Sequence, residues 1–169
     1  MNPDISLTRD WELVWAISQH PAVVDHIIND EWAAEALDVR KMQVRLLVLN
    51  PANYVLLVKD LDAEGAAAGC FLLDNRGEGV FEVHTMLLPA CRGALGIVAG
   101  RMGIRFALAL PGVEKLISKC PMNHREILFY ALKCGFHKAG EAAMSWLKAG
   151  ILYPLQTVEL SRKDLEPCH

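Results

Sequence analysis

Apolar positions follow two different rhythms along this chain. Over the first fifty residues they recur every three or four positions. Trp11, Val14 and Trp15, with Ser18, follow Asp10; Val23, Val24, Ile27 and Ile28 follow Pro21; Val39, Met42, Leu46 and Leu49 follow Asp38 and stop at Asn50-Pro51. That spacing predicts three amphipathic helices, capped by Asp10 and Asp38, with Pro21 in a first turn. A short strand at Ile5–Thr8 precedes them, and Trp11 and Trp15 read as core residues.

Beyond Asn53 the pattern changes to strand-length runs. Tyr54–Lys59, Ala66–Leu73 and Val80–Leu88 are separated by the turn-rich segments Asp60–Gly65 and Asp74–Gly79, which predicts an antiparallel meander. From Leu95 to about Leu110 the helical rhythm returns in Leu95, Val98, Met102, Phe106 and Leu110. Gly96, Gly100 and Gly103 share this helix, each costing about 1 kcal/mol relative to Ala, so a neighbour is expected to pack closely on its backbone. Pro111-Gly112 ends it. The next strand, Val113–Cys120, is reached through a helix and should run parallel to Val80–Leu88. A last helix opens at Pro121-Met122-Asn123, buries Ile127, Leu128, Ala131 and Leu132, and closes on Gly135 as a C-cap. Strands Phe136–Leu147 and Leu152–Ser161, joined through Lys148-Ala149-Gly150, complete the expected fold. The result is a single α+β (mixed α/β) domain over residues 1–163 with a tail at 164–169.

Composition narrows the class. The 169 residues suffice for one core, and no apolar run approaches the ~20 residues of a membrane span. Met1-Asn2-Pro3-Asp4 has no signal-peptide character, which points to the cytoplasm. The five cysteines, Cys70, Cys91, Cys120, Cys134 and Cys168, have neither framework nor C-x-x-C spacing. They read as reduced thiols, with Cys70 and Cys134 in the core and Cys91 the one to watch for reactivity. His20, His26, His84, His124 and His137 lack metal-ligand spacing, so no metal is expected.

The net charge of −3 hides an asymmetry. Residues 1–83 carry 6 Lys+Arg against 14 Asp+Glu, whereas residues 84–169 carry 11 against 6. The basic half carries the loop of the stretch Glu82 to Gly96, which reads as a strand, a Pro89 turn, an Arg92-Gly93 loop and a helix start. Free N–H groups and the helix dipole converge there, an arrangement suited to a phosphate. With no Lys/Arg cluster, a small anionic ligand fits better than nucleic acid.

The order β-α-α-α-β-β-β-loop-α-β-α-β-β resembles the GNAT superfamily of acyl-CoA-dependent N-acetyltransferases. Two motifs between Glu82 and Phe136 carry the resemblance: Leu87-Leu88-Pro89-x-x-Arg92-Gly93, and Asn123 followed by Phe129, Tyr130 and Gly135-Phe136. The resemblance implies a mixed, mostly antiparallel sheet flanked by helices, with central parallel strands that splay apart around the pantetheine arm of acetyl-CoA. Backbone groups at Met86, Leu87 and Leu88 would meet the pantetheine. The loop Arg92, Gly93, Ala94, Leu95 and Gly96 would take the pyrophosphate, and Asn123 would face the thioester end. Tyr130 would protonate the leaving thiolate. Glu82 and His84 alternate onto one strand face, and a buried carboxylate beside an imidazole, poised near neutral pH, would serve as the base. His124 and Arg125 stand at the start of the last helix.

The reading is therefore an acetyl-CoA-dependent N-acetyltransferase acting on an unidentified amine, with acetyl-CoA as cosubstrate and neither membrane nor nucleic acid as partner. Self-association or a protein partner stays open. The pattern His84-Thr85, Leu88-Pro89 and Arg92-Gly93, with the ending Ser161-Arg162-Lys163-Asp164-Leu165, also resembles a GNAT-like group of bacteriophage and prophage genomes. That suggests the alternative of a non-enzymatic protein in virion head assembly or DNA injection. Leu95 and Ile97 stand where the family has glycine, and in that alternative they would plug the gap between the strands while an apolar patch lay exposed elsewhere.

Overall fold

The computed structural model describes residues 2–165; Cys168 and the tail from residue 166 lie outside the described residues. The elements are β1 (Pro3–Leu7), α1 (Trp11–Ser18), α2 (Pro21–Ile27), α3 (Asp30–Ala34), α4 (Leu37–Leu49), β2 (Tyr54–Asp60), β3 (Ala66–Asn75), β4 (Val80–Leu87), α5 (Ala94–Ala109), β5 (Lys115–Pro121), α6 (Arg125–Cys134), β6 (His137–Lys138), β7 (Ala143–Lys148) and β8 (Ile151–Ser161). The eight strands form one sheet in the order β1-β2-β3-β4-β5-β8-β6, with β7 also on β8. All neighbours are antiparallel except β4 and β5, which are parallel as the helical crossover requires.

Strand alternation sorts the core into two layers. Leu56 and Val58 of β2, Phe71 and Leu73 of β3, and Phe81 and Leu87 of β4 pack with Ala99, Ile104 and Ala107 of α5 and Leu128 and Ala131 of α6. Val55 and Leu57, Cys70 and Leu72, and Met86 point to the opposite face, against Val14 and Ile17 of α1, Val23 of α2 and Val44 and Val48 of α4. A two-residue period in the strands thus yields a helix–sheet–helix sandwich. Trp11 and Trp15 pack only partly buried against the second layer, and Lys41 and Arg45 lie over the Trp11 ring.

Several local expectations require correction. The N-terminal region holds four helices, because Asn29 caps the additional short α3 through Trp32 N–H at 2.8 Å. Helix α4 begins with Ala36 at the N-cap, and its buried residues are Val44 and Val48. The expected stripe Val39, Met42, Leu46 and Leu49 faces outward, with Leu46 64 % exposed. Four apolar residues on one side marked an apolar face, but the sheet lies against the other side. In α5, Val98 and Met102 are exposed as well, while Gly96, Gly100 and Gly103 form the buried face. In α6, Leu132 is exposed and Cys134 is buried. Phe136–Leu147 is not one strand: Gly140, at φ +71°, turns the chain between β6 and β7.

Two glycines are needed where the sheet and α5 meet their neighbours. At Gly69, a Cβ would stand 2.9 Å from the Leu87 Cα and closer still to the Met86 carbonyl. The β2–β3 register shifts just there, between Val58 and Lys59. At Gly103, a Cβ would meet the Phe71 ring at 2.8 Å. The close packing expected on α5 is therefore supplied by Phe71, Tyr130 and Cys134.

Candidate functional site

β3 pairs with β4 along its length, from Asn75–Phe81 to Gly69–Leu87. β5 pairs with β4 only at Val80–Lys115, Phe81–Leu116 and Glu82–Ile117. Ser118 adds one side-chain link, its Oγ donating to the Val83 carbonyl at 3.1 Å. Past that point the strands part and leave an open cleft of about 570 Å³. Its lining includes Glu82, Val83, His84, Thr85 and Leu87 from β4, Ser118, Lys119 and Cys120 from β5, and Tyr130 from α6. Leu95 and Ile97 are not part of the lining, so the gap that they were expected to plug is open.

The loop leading to α5 runs through a 3-10 turn at Pro89–Cys91 to Gly93, the N-cap, at φ +63°. No side chain caps α5, and no acidic residue lies in its first turn. Its leading N–H groups and the positive end of its dipole are thereby left to an anion. Arg92 and Gly93 line the cleft with Gly96, whereas Ala94 is exposed and Leu95 half-buried. The Arg92 side chain turns back, donating from Nε to the Leu87 carbonyl at 3.3 Å and from Nη2 to the Ala22 carbonyl of α2. Of the remaining expected binding residues, Met86 is buried in the α1–α4 layer and Leu88 packs against that layer. Asn123 sits in the turn between β5 and α6, where its Oδ1 is buried with no hydrogen-bond partner. The Nε1 of Trp146, which lines the cleft, is likewise buried and unpartnered. Asn123 is not part of the cleft lining, whereas Trp146 lines it together with Gly93 and Gly96 at the uncapped start of α5. An open donor beside free helix N–H groups can hold an amide-bearing, phosphorylated ligand, so these residues fit a pantetheine–pyrophosphate group.

Glu82 and His84 share the β4 face that carries Met86, toward α1, α2 and α4. Glu82 is 5 % exposed and ion-paired with Arg76 Nη2 at 2.7 Å and Lys119 Nζ at 3.2 Å. Burial alone would raise its carboxyl, but His84, Lys119 and Arg76 outweigh that and hold it below the ordinary range. It is an ionised, fixed group, and the expectation of a carboxylate poised near neutrality fails because two cations flank it. Burial pushes His84 below its ordinary 6.5, with Glu82 and Asp74 pulling the other way, so the ring is neutral at physiological pH and can accept a proton. On the opposite face, Tyr130 Oη donates to the Gly96 carbonyl at 3.2 Å. Burial, with smaller contributions from Cys134 and Cys91, pushes its hydroxyl far above the ordinary value, so it stays protonated. A proton acceptor and a proton donor therefore face one cleft from opposite sides of the sheet.

Cys91, the residue to watch in the loop, is fully buried in the core, and burial pushes its thiol up; it is not poised for reaction. Cys70 and Cys134 are buried as expected. Arg125 is exposed. Three cleft features escaped the sequence reading: Ser118, Trp146, and the approach of His26 on α2 to His124 and Glu126 at α6. Only the last pair of positions, two residues apart, is close in the chain.

The sheet order, the single parallel pair that splays and the loop–helix following β4 are together the GNAT fold. Solved structures agree across the whole chain. A spermidine N-acetyltransferase from Vibrio cholerae, in complex with CoA and spermine, superposes with a TM-score of 0.77 at 11% identity, covering 96% of this chain and 97% of the other. A dodecameric structure of spermidine N-acetyltransferase from Vibrio cholerae, in an intermediate state, gives 0.75 at 13% identity, with 99% of each chain covered. No protein-family model and no curated protein sequence matches the chain.

Proposed function

We propose that this protein transfers the acetyl group of acetyl-CoA to an amine. The observation that carries this reading is the open cleft where β4 leaves β5, above the uncapped start of α5. Acetyl-CoA supplies an activated thioester. Gly93, Ala94, Leu95 and Gly96 would receive its pyrophosphate through backbone N–H groups, and Met86 to Leu88 and Asn123 would meet the pantetheine. The neutral His84 imidazole takes the proton from the acceptor's ammonium group, unmasking the nucleophilic lone pair. Glu82, fixed by Arg76 and Lys119, stabilises the imidazolium so formed. Tyr130 Oη, kept protonated by burial, would serve the departing thiolate as a hydrogen-bond donor, and solvent completes its protonation.

The acceptor enters from the α1–α4 side, on this reading, because His84 faces that layer. The N-terminal half that builds this layer carries the chain's acidic excess, which favours a cationic acceptor. Polyamines are the natural compounds to test, since the solved neighbours are spermidine N-acetyltransferases. The decisive measurement is thiol release from acetyl-CoA with a panel containing spermidine, spermine and monoamines, alongside calorimetric binding of acetyl-CoA. Binding without turnover across the panel would leave a CoA-binding sensor; no binding at millimolar acetyl-CoA would overturn the proposal. The phage-assembly alternative required a filled gap, and the cleft is open, although the exposed α4 residues Val39, Met42, Leu46 and Leu49 do provide the apolar patch it asked for.

A further inference from the structure

At one end of the cleft, α2 meets the start of α6. There His26, His124 and Glu126 each direct one ligand-capable atom to within 4.8 Å of the others. His26 Nε2 lies 3.4 Å from Glu126 Oε1, and His124 Nδ1 lies 3.2 Å from the same oxygen. The two imidazole rings are 4.7 Å apart, centroid to centroid.

The partners of the outward-facing nitrogens decide what the inward-facing ones can do. His26 Nδ1 is 3.1 Å from the Ala22 carbonyl oxygen. A carbonyl only accepts, so this bond assigns the proton to Nδ1 and leaves the lone pair of the neutral ring on Nε2. His124 Nε2 is 4.0 Å from Asp25 Oδ2, an ion-pair distance, whereas His124 Nδ1 is hydrogen-bonded to Glu126 Oε1 at 3.2 Å, a contact whose proton a metal ion would replace. Two imidazole nitrogens and a carboxylate oxygen thus converge, and the proton on the His124–Glu126 edge is the one a bound cation would displace. A backbone carbonyl and a carboxylate behind the rings are the outer partners that orient metal-binding histidines.

We infer that His26 Nε2, His124 Nδ1 and Glu126 Oε1 bind a divalent cation of the Zn²⁺ type. Two imidazoles and one carboxylate form a zinc donor set with a fourth position free. Ligand bonds of about 2.0–2.1 Å at tetrahedral angles separate the ligand atoms by roughly 3.3 Å. Both histidine–carboxylate edges, 3.4 and 3.2 Å, meet that value; the third edge lies within 4.8 Å, and binding an ion would require the rings to turn inward. Two cations lie near this group: Arg92 Nη2 donates to the same Ala22 carbonyl that His26 Nδ1 meets, and Lys148 Nζ lies 3.3 Å from Asp25 Oδ1. Arg92 is engaged by the Leu87 and Ala22 carbonyls and Lys148 by the Asp25 and Ile28 carbonyls, so neither is paired with Glu126. Because the ligands come from α2 and α6, and His26 and Glu126 line the cleft, a bound ion ties two cleft walls together and is within reach of whatever enters. The inference is independent of acetyl transfer.

The test uses the full chain, stripped of metal by a chelator and titrated with ZnCl₂ alone by calorimetry. One ion per chain should bind, and His26→Gln and His124→Gln should each weaken it by more than tenfold. Asp25→Asn, behind the His124 ring, should weaken it by about tenfold. His137→Gln, on exposed β6, should change nothing. Because a variant can fail to fold, Co²⁺ absorption of the unaltered protein provides a second readout. A four-coordinate visible spectrum without a thiolate charge-transfer band is expected. A thiolate band, unaltered affinity in the folded H26Q and H124Q variants, or no binding at all would each overturn the inference.

Discussion

Ser118 Oγ donates a 3.1 Å hydrogen bond to the carbonyl oxygen of Val83, one residue beyond the last backbone-paired position of β4 and β5. It marks the apex of the cleft. Ser118→Ala removes a part-buried hydrogen bond and should cost about 1 kcal/mol of stability. Thermal unfolding measures that loss, and calorimetry with acetyl-CoA shows whether the gap has loosened; an unchanged melting temperature would refute the role of the link.

Gly100 lies under the Tyr130 hydroxyl and the Cys134 sulfur, both of which a Cβ at this position would strike. Gly100→Ala gains about 1 kcal/mol of helix propensity, but overpacking at such a contact costs about 1–3 kcal/mol. The variant should therefore be no more stable than the parent. It should also lose turnover by displacing Tyr130, whereas Gly65→Ala, in an open turn, should leave turnover alone. Guanidinium unfolding and initial rates measure both effects.

His84 has its pKa pushed below 6.5 by burial. The neutral ring is the base, so lowering the pKa keeps the active form populated to lower pH. The acidic limb of kcat/KM should accordingly fall below pH 6.5, and His84→Gln should abolish that limb while lowering kcat by about 10²–10⁴. Retention of an unaltered limb in the variant would assign the base elsewhere.

Glu82 is held ionised by Arg76 and Lys119, its pKa below the ordinary 4.5 despite burial. The unfolded chain then takes up this proton at a higher pH than the native one. Its contribution to stability is complete above pH 4.5 and is lost as pH falls through the lowered native value. Glu82→Gln should flatten that acid-side decline in a series of unfolding curves, and should destabilise the protein by about 1–3 kcal/mol at pH 7 by leaving two cations without their partner.

Tyr130→Phe deletes only the hydrogen-bond donor. Stability should change by about 1 kcal/mol, the worth of the bond to the Gly96 carbonyl, while turnover falls much further. Adding a thiol-independent readout, the acetylated amine by mass spectrometry, separates slowed chemistry from slowed thiol detection.

Much of this architecture was legible in local chemistry. Asp10 caps α1 by accepting from Leu13 N–H at 3.0 Å, Pro21 sits in the first turn of α2, and Gly135 closes α6 at φ +114°. The meander of β2, β3 and β4 followed from short turn-rich connections, and the parallel β4–β5 pair from a helical crossover. These are determined by residues within a few positions of one another. Which side of an apolar helix is buried was not so determined. In α4 and α5 the wrong side was read as core, because hydrophobic residues occupy more than one face and small residues leave no hydrophobic signal although they pack most tightly.

The candidate site divides along the same line. Sequence alone placed Glu82 and His84 on one strand face, Gly93 at the head of α5 and Tyr130 on α6, since each depends on period and spacing. Only the tertiary structure decided that Arg76 and Lys119 flank Glu82, that the β4–β5 gap stays open past Ser118, and that His26 meets His124 and Glu126. Those groups come from separate elements. Their charges and lone pairs interact through space over a few ångströms, and the distance along the chain between them carries no information about it.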